Sequence, residues 1–433
     1  RPAVRGTATA PQPAVDERGP VAGFEAALTA YGSLPRAVVM APAIRLARDG
    51  FVLTRGDTDI FARYGERLRR DPEAARIYLR ADGSPPRPGD RLVQADLART
   101  LAAIAERGSA AFYAGDIPRA VAAASRAGGG MLTESDFGGY RAKLSEPMRC
   151  AYRGYEILSA PPPSSGGFAL CQTLSVLEGY DLRGMGWGSA RSIHVTTEAL
   201  RRAFADRNTW LGDPDFVPDP VAKLLAPERI AAIRAQIGDR ATPSGEIRPG
   251  AIGDERPETT HYSVMDAAGN AVSVTFTLNG AFGAGVVTPG TGFLLNNEMD
   301  DFAAKPGAAN MFGLVQGAAN AIAPGKRPLS SMAPTIAMRD GRAALAGGSP
   351  GGPRIITTVL LVLIGIVDHG MTLSEAVDAP RWHHQWQPDV IAAEPRAFSP
   401  DTAALLAAMG HRIVEQSPWS AAAFVAAPLA TAA

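Results

Sequence analysis

Residues 258–279 read ETTHYSVMDAAGNAVSVTFTLN, and the organisation of the whole chain turns on this stretch. HYSVMD and AVSVTFTLN alternate with the period of two that marks strands, and DAAGN between them supplies Asp, Gly and Asn for a turn. The pattern predicts a β-hairpin. If it folds about Ala268, Thr259 stands opposite Thr277, and directly opposed residues point to one face. Asn279, two positions beyond Thr277, shares that face. Two hydroxyls and an amide then gather at the head of a strand. A threonine hydroxyl is a poor nucleophile without a base beside it; one solution is to make it the first residue of a chain, so that its own α-amine takes the proton. The polar stretch ending GDERPE before Thr259 suits a site of self-cleavage. The plainer alternative is an edge strand that begins in threonine, where that residue is common.

Composition narrows the classes. The chain has 433 residues, with 43 basic residues balancing 43 acidic ones, so nothing argues for a nucleic-acid or polyanion partner. Its 46% hydrophobic and 20% charged content describes a globular protein with an ample core. Two cysteines, Cys150 and Cys171, are too few for a disulfide framework. The apolar run IITTVLLVLIGIV (355–367) is too short for a membrane span and reads as a buried helix. The opening RPAVRGTATAPQPAVDERGPVAGF has no hydrophobic leader core. It reads like the interior of a longer protein, and the closing SPWSAAAFVAAPLATAA dissolves into alanine and proline with no strand predicted.

Along the chain, residues 20–130 read mainly as helices. RCAYRGYEILSA (149–160) alternates as a strand and runs into the stiff turn PPPSSGG (161–167). Helices are predicted at FALCQTLSVLEGY and SARSIHVTTEALRRAFADRNTWLG, and an exposed Pro- and Gly-rich linker over 211–258. After Thr259 strands dominate, with APTIAMRDGRAALAGG (333–348) a second hairpin turning at RDG, before the helix at 353–369 and LSEAVDAP. Helices, then strands, then helices point to sheets covered by helices rather than βαβ alternation.

Several signatures fail on inspection. GGSPG (347–351) matches G-x-S-x-G, but the elbow needs the N–H after the serine, and that residue is Pro350. APGKRP lacks the upstream glycine and the hydroxyl residue of a P-loop. The adjacent histidines of HHQW (383–386) cannot both face one metal from a regular element, and no H-E-x-x-H occurs, so no metal site is expected.

TTHYSVMDAAGNAVSVTFTLN, GFLLNNEMDDF, KRPLSSMAPT and GGSPGG, in that order, resemble the small subunit of γ-glutamyltranspeptidases, which are N-terminal-nucleophile hydrolases. GPVAGFEAAL, PAIRLARDGF, PPPSSGG and RAFADRN…LGDPDFV are similar to the large subunit. The likeness runs from about residue 19 to 415. It implies an α+β fold, a four-layer αββα sandwich in one intertwined domain, with 1–258 as large-subunit portion and 259–433 as small-subunit portion. It also implies self-cleavage before Thr259, which becomes the nucleophile, with Thr277 hydrogen-bonded to it.

The other positions follow from the same resemblance and make chemical sense. Glu298 and Asp301 are anions for a substrate α-ammonium, with Asn279 a neutral acceptor. Ser330 and Ser331 are hydroxyl donors for the α-carboxylate, and the N–H groups of Gly351 and Gly352 form the oxyanion hole. The resemblance implies no cofactor. It implies γ-glutamyl compounds such as glutathione as substrates, water, amino acids or peptides as acceptors, a heterodimer of the two cleavage products, and a periplasmic or extracellular setting. Two alternatives stand beside this: a glutaryl-type β-lactam acylase of the same family, whose substrates have no α-ammonium to pair with Glu298 and Asp301, and an inactive truncated homologue.

Overall fold

A computed structural model describes residues 3–5, 19–247, 259–419 and 421–427. The hairpin is present with the register read from the sequence. Thr260–Met265 pairs antiparallel with Ala271–Phe276, Thr260 opposite Phe276 and His261 opposite Thr275, so one further step sets Thr259 opposite Thr277. The turn closes on Asp266, whose carboxylate accepts from the Asn270 backbone N–H at 2.8 Å, while Gly269 takes the left-handed conformation at φ 86°.

This hairpin lies on a five-stranded sheet in the order Ala423–Ala426, Arg342–Gly348, Thr335–Arg339, Tyr155–Ser159, Met148–Tyr152. All neighbours are antiparallel. Strands from both sides of Thr259 therefore share one sheet. Its other face carries the helices Gly166–Leu177 and Arg354–Val367, and the long helix Ala190–Trp210 packs on the first of these. Beyond the hairpin, Phe24 of the helix Gly19–Tyr31 meets Phe276 edge-on at 6.0 Å. The fold is α+β, with helices on either side of two stacked β layers. The run 355–367 is a helix buried on all sides, from Arg354 to Gly365, as its uninterrupted apolarity requires.

Three readings are corrected. RCAYRGYEILSA is two strands, because Arg153 and Gly154 turn the chain at φ 48° and 81° and leave Tyr152 paired with Tyr155. The closing segment does form a strand: Ala423–Ala426 pairs with Arg342–Gly348. Glycine at 347 makes room for it, since a Cβ there would come within 1.9 Å of the Phe424 ring. The 211–258 stretch, as far as residue 247, is not a bare linker. It holds the short helices Val221–Leu224 and Pro227–Gln236, the latter burying Ile230 and Ile233 in the main core, with Pro227 at the first helical turn where its missing N–H costs nothing. The two cysteines form one disulfide, Cys150 to Cys171, tying strand Met148–Tyr152 to helix Gly166–Leu177.

The N-terminal helices build two smaller cores, which close on Leu295 and Val287 respectively. They grip the segment that follows the hairpin: Arg67 Nη1 donates to the Gly283 carbonyl at 2.9 Å and Thr100 Oγ1 to the Thr291 carbonyl at 2.7 Å. Among the described residues no helix is long and apolar enough to cross a membrane.

Candidate active site

The hairpin is tied to the sheet by polar contacts. Ser273 Oγ donates to the Gly347 carbonyl at 3.0 Å and accepts from the Thr335 N–H at 3.1 Å. His261 bonds Thr275 Oγ1 through Nδ1 at 2.7 Å and Ser263 Oγ through Nε2 at 2.9 Å. Burial pushes the His261 imidazole down to about 4, so it is neutral near pH 7. Its ring lies on Gly348, where a Cβ would come within 2.3 Å of it. The residue two places after Thr259 is thus packed on the strand that runs into Gly351 and Gly352.

Those two glycines sit in a loop that no other residue type fits easily, with φ at 132° and 52°. Their carbonyls accept from the N–H groups of Arg354 and Ile355 at 3.1 and 3.0 Å, which places them at the start of the helix Arg354–Val367. Backbone N–H groups at a helix N-terminus favour negative charge. Ser349, in the G-x-S-x-G match, is fully buried with its hydroxyl on the Pro350 carbonyl at 2.6 Å.

From the second strand, at the open end of the hairpin that also holds Thr259, a continuous chain of contacts leads inward. Thr277 Oγ1 accepts from the Asn279 N–H at 2.8 Å. Asn279 is buried, holds φ at 71°, and donates through Nδ2 to the Asn297 carbonyl at 3.0 Å. Asn297 in turn accepts from the Gly280 N–H through Oδ1 at 2.9 Å. The next residues form the single turn Glu298–Asp301, with both of those carboxylate residues buried. The Asp301 carbonyl is held by Gln316 and Asn320 at 3.1 and 2.7 Å. Burial raises the Asp301 carboxyl to about 7, with Arg207 opposing the rise and Asp300 adding to it.

Ser330 and Ser331 complete the set. The Ser330 carbonyl accepts from both Ser165 N and Ser165 Oγ, at 2.8 and 2.6 Å. Ser331 Oγ accepts from Arg207 Nη2 at 3.1 Å. The structure therefore links Thr277, Asn279 and the 298–301 turn on one side. On the other side it joins Ser330 and Ser331 through Ser165 and Arg207, the latter also the cation that acts on Asp301. Gly348, three residues before Gly351, lies against the ring of His261, two residues after Thr259. Glu258 lies outside the described residues.

Arg207 is the residue the motif reading missed. A signal existed: Leu200, Ala203, Phe204 and Arg207 follow helical spacing on one stripe, and an arginine on an apolar stripe calls for a partner. The histidines of HHQW serve packing: His383 bonds Thr357 at 2.8 Å and Gln385 at 2.9 Å, and His384 faces Asp389 at 3.3 Å. A separate cavity of about 490 Å³, lined by Arg153, Glu178, Tyr180, Asp181, Arg183 and Asp368 among others, contains none of the candidate residues.

Two stacked β layers between helices, with a threonine at the head of a hairpin strand, form the architecture of N-terminal-nucleophile hydrolases. The solved cephalosporin acylase from Bacillus halodurans superposes with a TM-score of 0.85 at 27% identity, over 98% of this chain and 77% of that one. The Gamma-glutamyltranspeptidase family profile matches residues 14–428. A glutathione hydrolase proenzyme of Pseudomonas sp. (strain A14) is 47% identical over 428 residues, 98% of this chain and 74% of that protein. The glutathione hydrolase proenzyme of Escherichia coli (strain K12) is 47% identical over 397 residues, 91% of this chain and 68% of that one. The chain belongs to the γ-glutamyltranspeptidase family.

Proposed function

We propose that this chain is a glutathione hydrolase and γ-glutamyltransferase that works through an ester on Thr259. The precursor splits between Glu258 and Thr259, and the two products, 1–258 and 259–433, stay together as a heterodimer. The freed α-amine of Thr259 takes the hydroxyl proton as the oxygen attacks the γ-glutamyl amide carbon. Thr277, across the hairpin, orients that hydroxyl. The oxyanion rests on the N–H groups of Gly351 and Gly352. The amine leaves with the proton, and water or an acceptor amine then cleaves the ester. No step needs a metal or an organic cofactor.

One observation carries this reading beyond a general acylase. The site has two unlike ends: a buried acidic turn at Glu298 and Asp301, close to Asn279, and a pair of hydroxyls at Ser330 and Ser331. An α-amino acid head has that polarity, an ammonium for the acids and a carboxylate for the hydroxyls. A glutaryl side chain has a carboxylate for the hydroxyls but presents no ammonium to the acidic turn. The likeness to a cephalosporin acylase keeps the glutaryl acylase as the second reading. The Cys150–Cys171 disulfide supports a periplasmic or exterior setting, since such bonds persist in oxidising compartments.

The test is maturation. Purified protein should give two fragments, the smaller beginning Thr-Thr-His-Tyr, and Thr259→Ala should remain whole and inactive. Thr259→Ser should retain some cleavage. Efficient cleavage of the alanine variant, or cleavage at another bond, overturns the nucleophile.

A further inference from the structure

Arg207 is fully buried near the end of the helix Ala190–Trp210, in the portion that precedes Thr259. Its Nε donates to Ser165 Oγ at 2.9 Å, Nη1 to Asn208 Oδ1 at 2.9 Å, and Nη2 to Ser331 Oγ at 3.1 Å and the Leu329 carbonyl at 3.4 Å. All four partners are uncharged. A guanidinium without an ion-pair partner in so enclosed a place is expensive to keep. Burial lowers it only to about 10, with Asp301 the anion that supports it from a distance, so it stays charged at neutral pH.

Its contacts also settle what the two serines can do. A hydroxyl has one donor and two acceptor positions. At Ser331 the guanidinium takes an acceptor position; at Ser330 the Met332 N–H does so, at 3.1 Å. Among the described residues neither O–H has an acceptor of its own. Ser165, fixed by Arg207, holds the Ser330 carbonyl through two hydrogen bonds. The arginine thus takes an acceptor position of Ser331, whose O–H remains available as a donor, and reaches Ser330 through Ser165 and the Ser330 carbonyl.

Resting on the γ-glutamyl reading above, we propose that Arg207 is the positioning residue for the carboxylate end of the substrate. It orients Ser331 as a donor directly and Ser330 through Ser165, and its positive charge is completed by the carboxylate that the two hydroxyls bind. The assignment joins the two cleavage products functionally, because the cation comes from one and the donors from the other.

The experiment compares three anilides with the mature heterodimer: γ-glutamyl, glutaryl (carboxylate but no ammonium) and 4-aminobutyryl (ammonium but no carboxylate). Hydrogen bonds to charged groups are worth enough that Arg207→Met should lower kcat/KM for the γ-glutamyl and glutaryl anilides by about 30-fold, mostly through KM. The 4-aminobutyryl anilide should change less than about threefold, because the coupling is to a group it lacks. Arg207→Lys, which keeps the charge but not the fork, should recover part of the loss on the same two substrates. An equal loss on all three anilides would make Arg207 a packing residue and overturn the proposal. If Arg207→Met does not mature, Arg207→Lys decides: a loss confined to the γ-glutamyl and glutaryl anilides supports the assignment, and a uniform loss or no loss removes it. Failure of the underlying reading looks different, since the unaltered enzyme would then turn over none of the three, or glutaryl in preference to γ-glutamyl.

Discussion

The five-stranded sheet and the hairpin laid on it are held by different forces. On the helix side of the sheet, Phe168, Leu174, Ile356, Val359 and Leu360 are fully buried, and apolar area supplies the stability. The hairpin reverses that polarity. His261, Ser263, Ser273 and Thr275 share the inner face, bonded to one another or to the sheet. Tyr262, Val264 and Val272 on the outer face are 42%, 54% and 51% exposed. Alternation alone gives two faces and does not say which one is inside. Here the polar face is the inner one because its hydroxyls and imidazole find partners there, Ser273 on Gly347 and Thr335 and His261 on Thr275 and Ser263. The same face continues towards Thr259 and Thr277, the residues proposed to carry the chemistry.

This contrast can be broken at several points. The largest effect is expected where charge decides. Asp301→Asn leaves Arg207 without its distant anion and the substrate ammonium without its partner, and a buried pair broken on one side costs about 3–5 kcal/mol. Activity on γ-glutamyl anilide should fall correspondingly, with glutaryl anilide affected far less; an equal fall would favour the acylase reading. Next comes the apolar side. Leu360→Ala should lower unfolding stability by about 2–5 kcal/mol, measured by denaturant titration, because Leu360 is wholly enclosed.

A pH profile sharpens the same division. Asp301 must be ionised to pair an ammonium, and its carboxyl is raised to about 7. A free threonine α-amine, near ~7.7–8.0, must be neutral to act as base. Below both values, kcat/KM for γ-glutamyl anilide should fall about 100-fold per pH unit, two protons being involved, and for glutaryl anilide about tenfold. Parallel slopes would remove Asp301 from recognition. The smallest effect is expected on the hairpin's outer face, where Val272→Ser should shift stability by no more than about 0.5 kcal/mol.

Much of this was legible in residue order. The hairpin register followed from DAAGN and the alternation around it, and the buried helix from IITTVLLVLIGIV. What escaped was what depends on distant chain. Ala423–Ala426 looks too plain for a strand until Gly347 is seen to accept Phe424. RCAYRGYEILSA hid a turn because Arg153 and Gly154 interrupt the alternation by only two residues. The 211–247 stretch has a linker's composition, yet its few apolar residues find the core. Arg207 was visible as an oddity of spacing, but its tie to Ser331, 124 positions on, was not.

The central claim is that Thr259 carries a γ-glutamyl group during turnover. Quenching the enzyme with γ-glutamyl anilide at steady state and measuring intact masses tests it most directly. The account predicts that the 259–433 fragment gains the mass of one γ-glutamyl group, that peptide mapping places it on Thr259, and that Thr259→Ala gains nothing. An adduct on another residue, or one formed from glutaryl anilide while γ-glutamyl anilide leaves the protein unmodified, would contradict it.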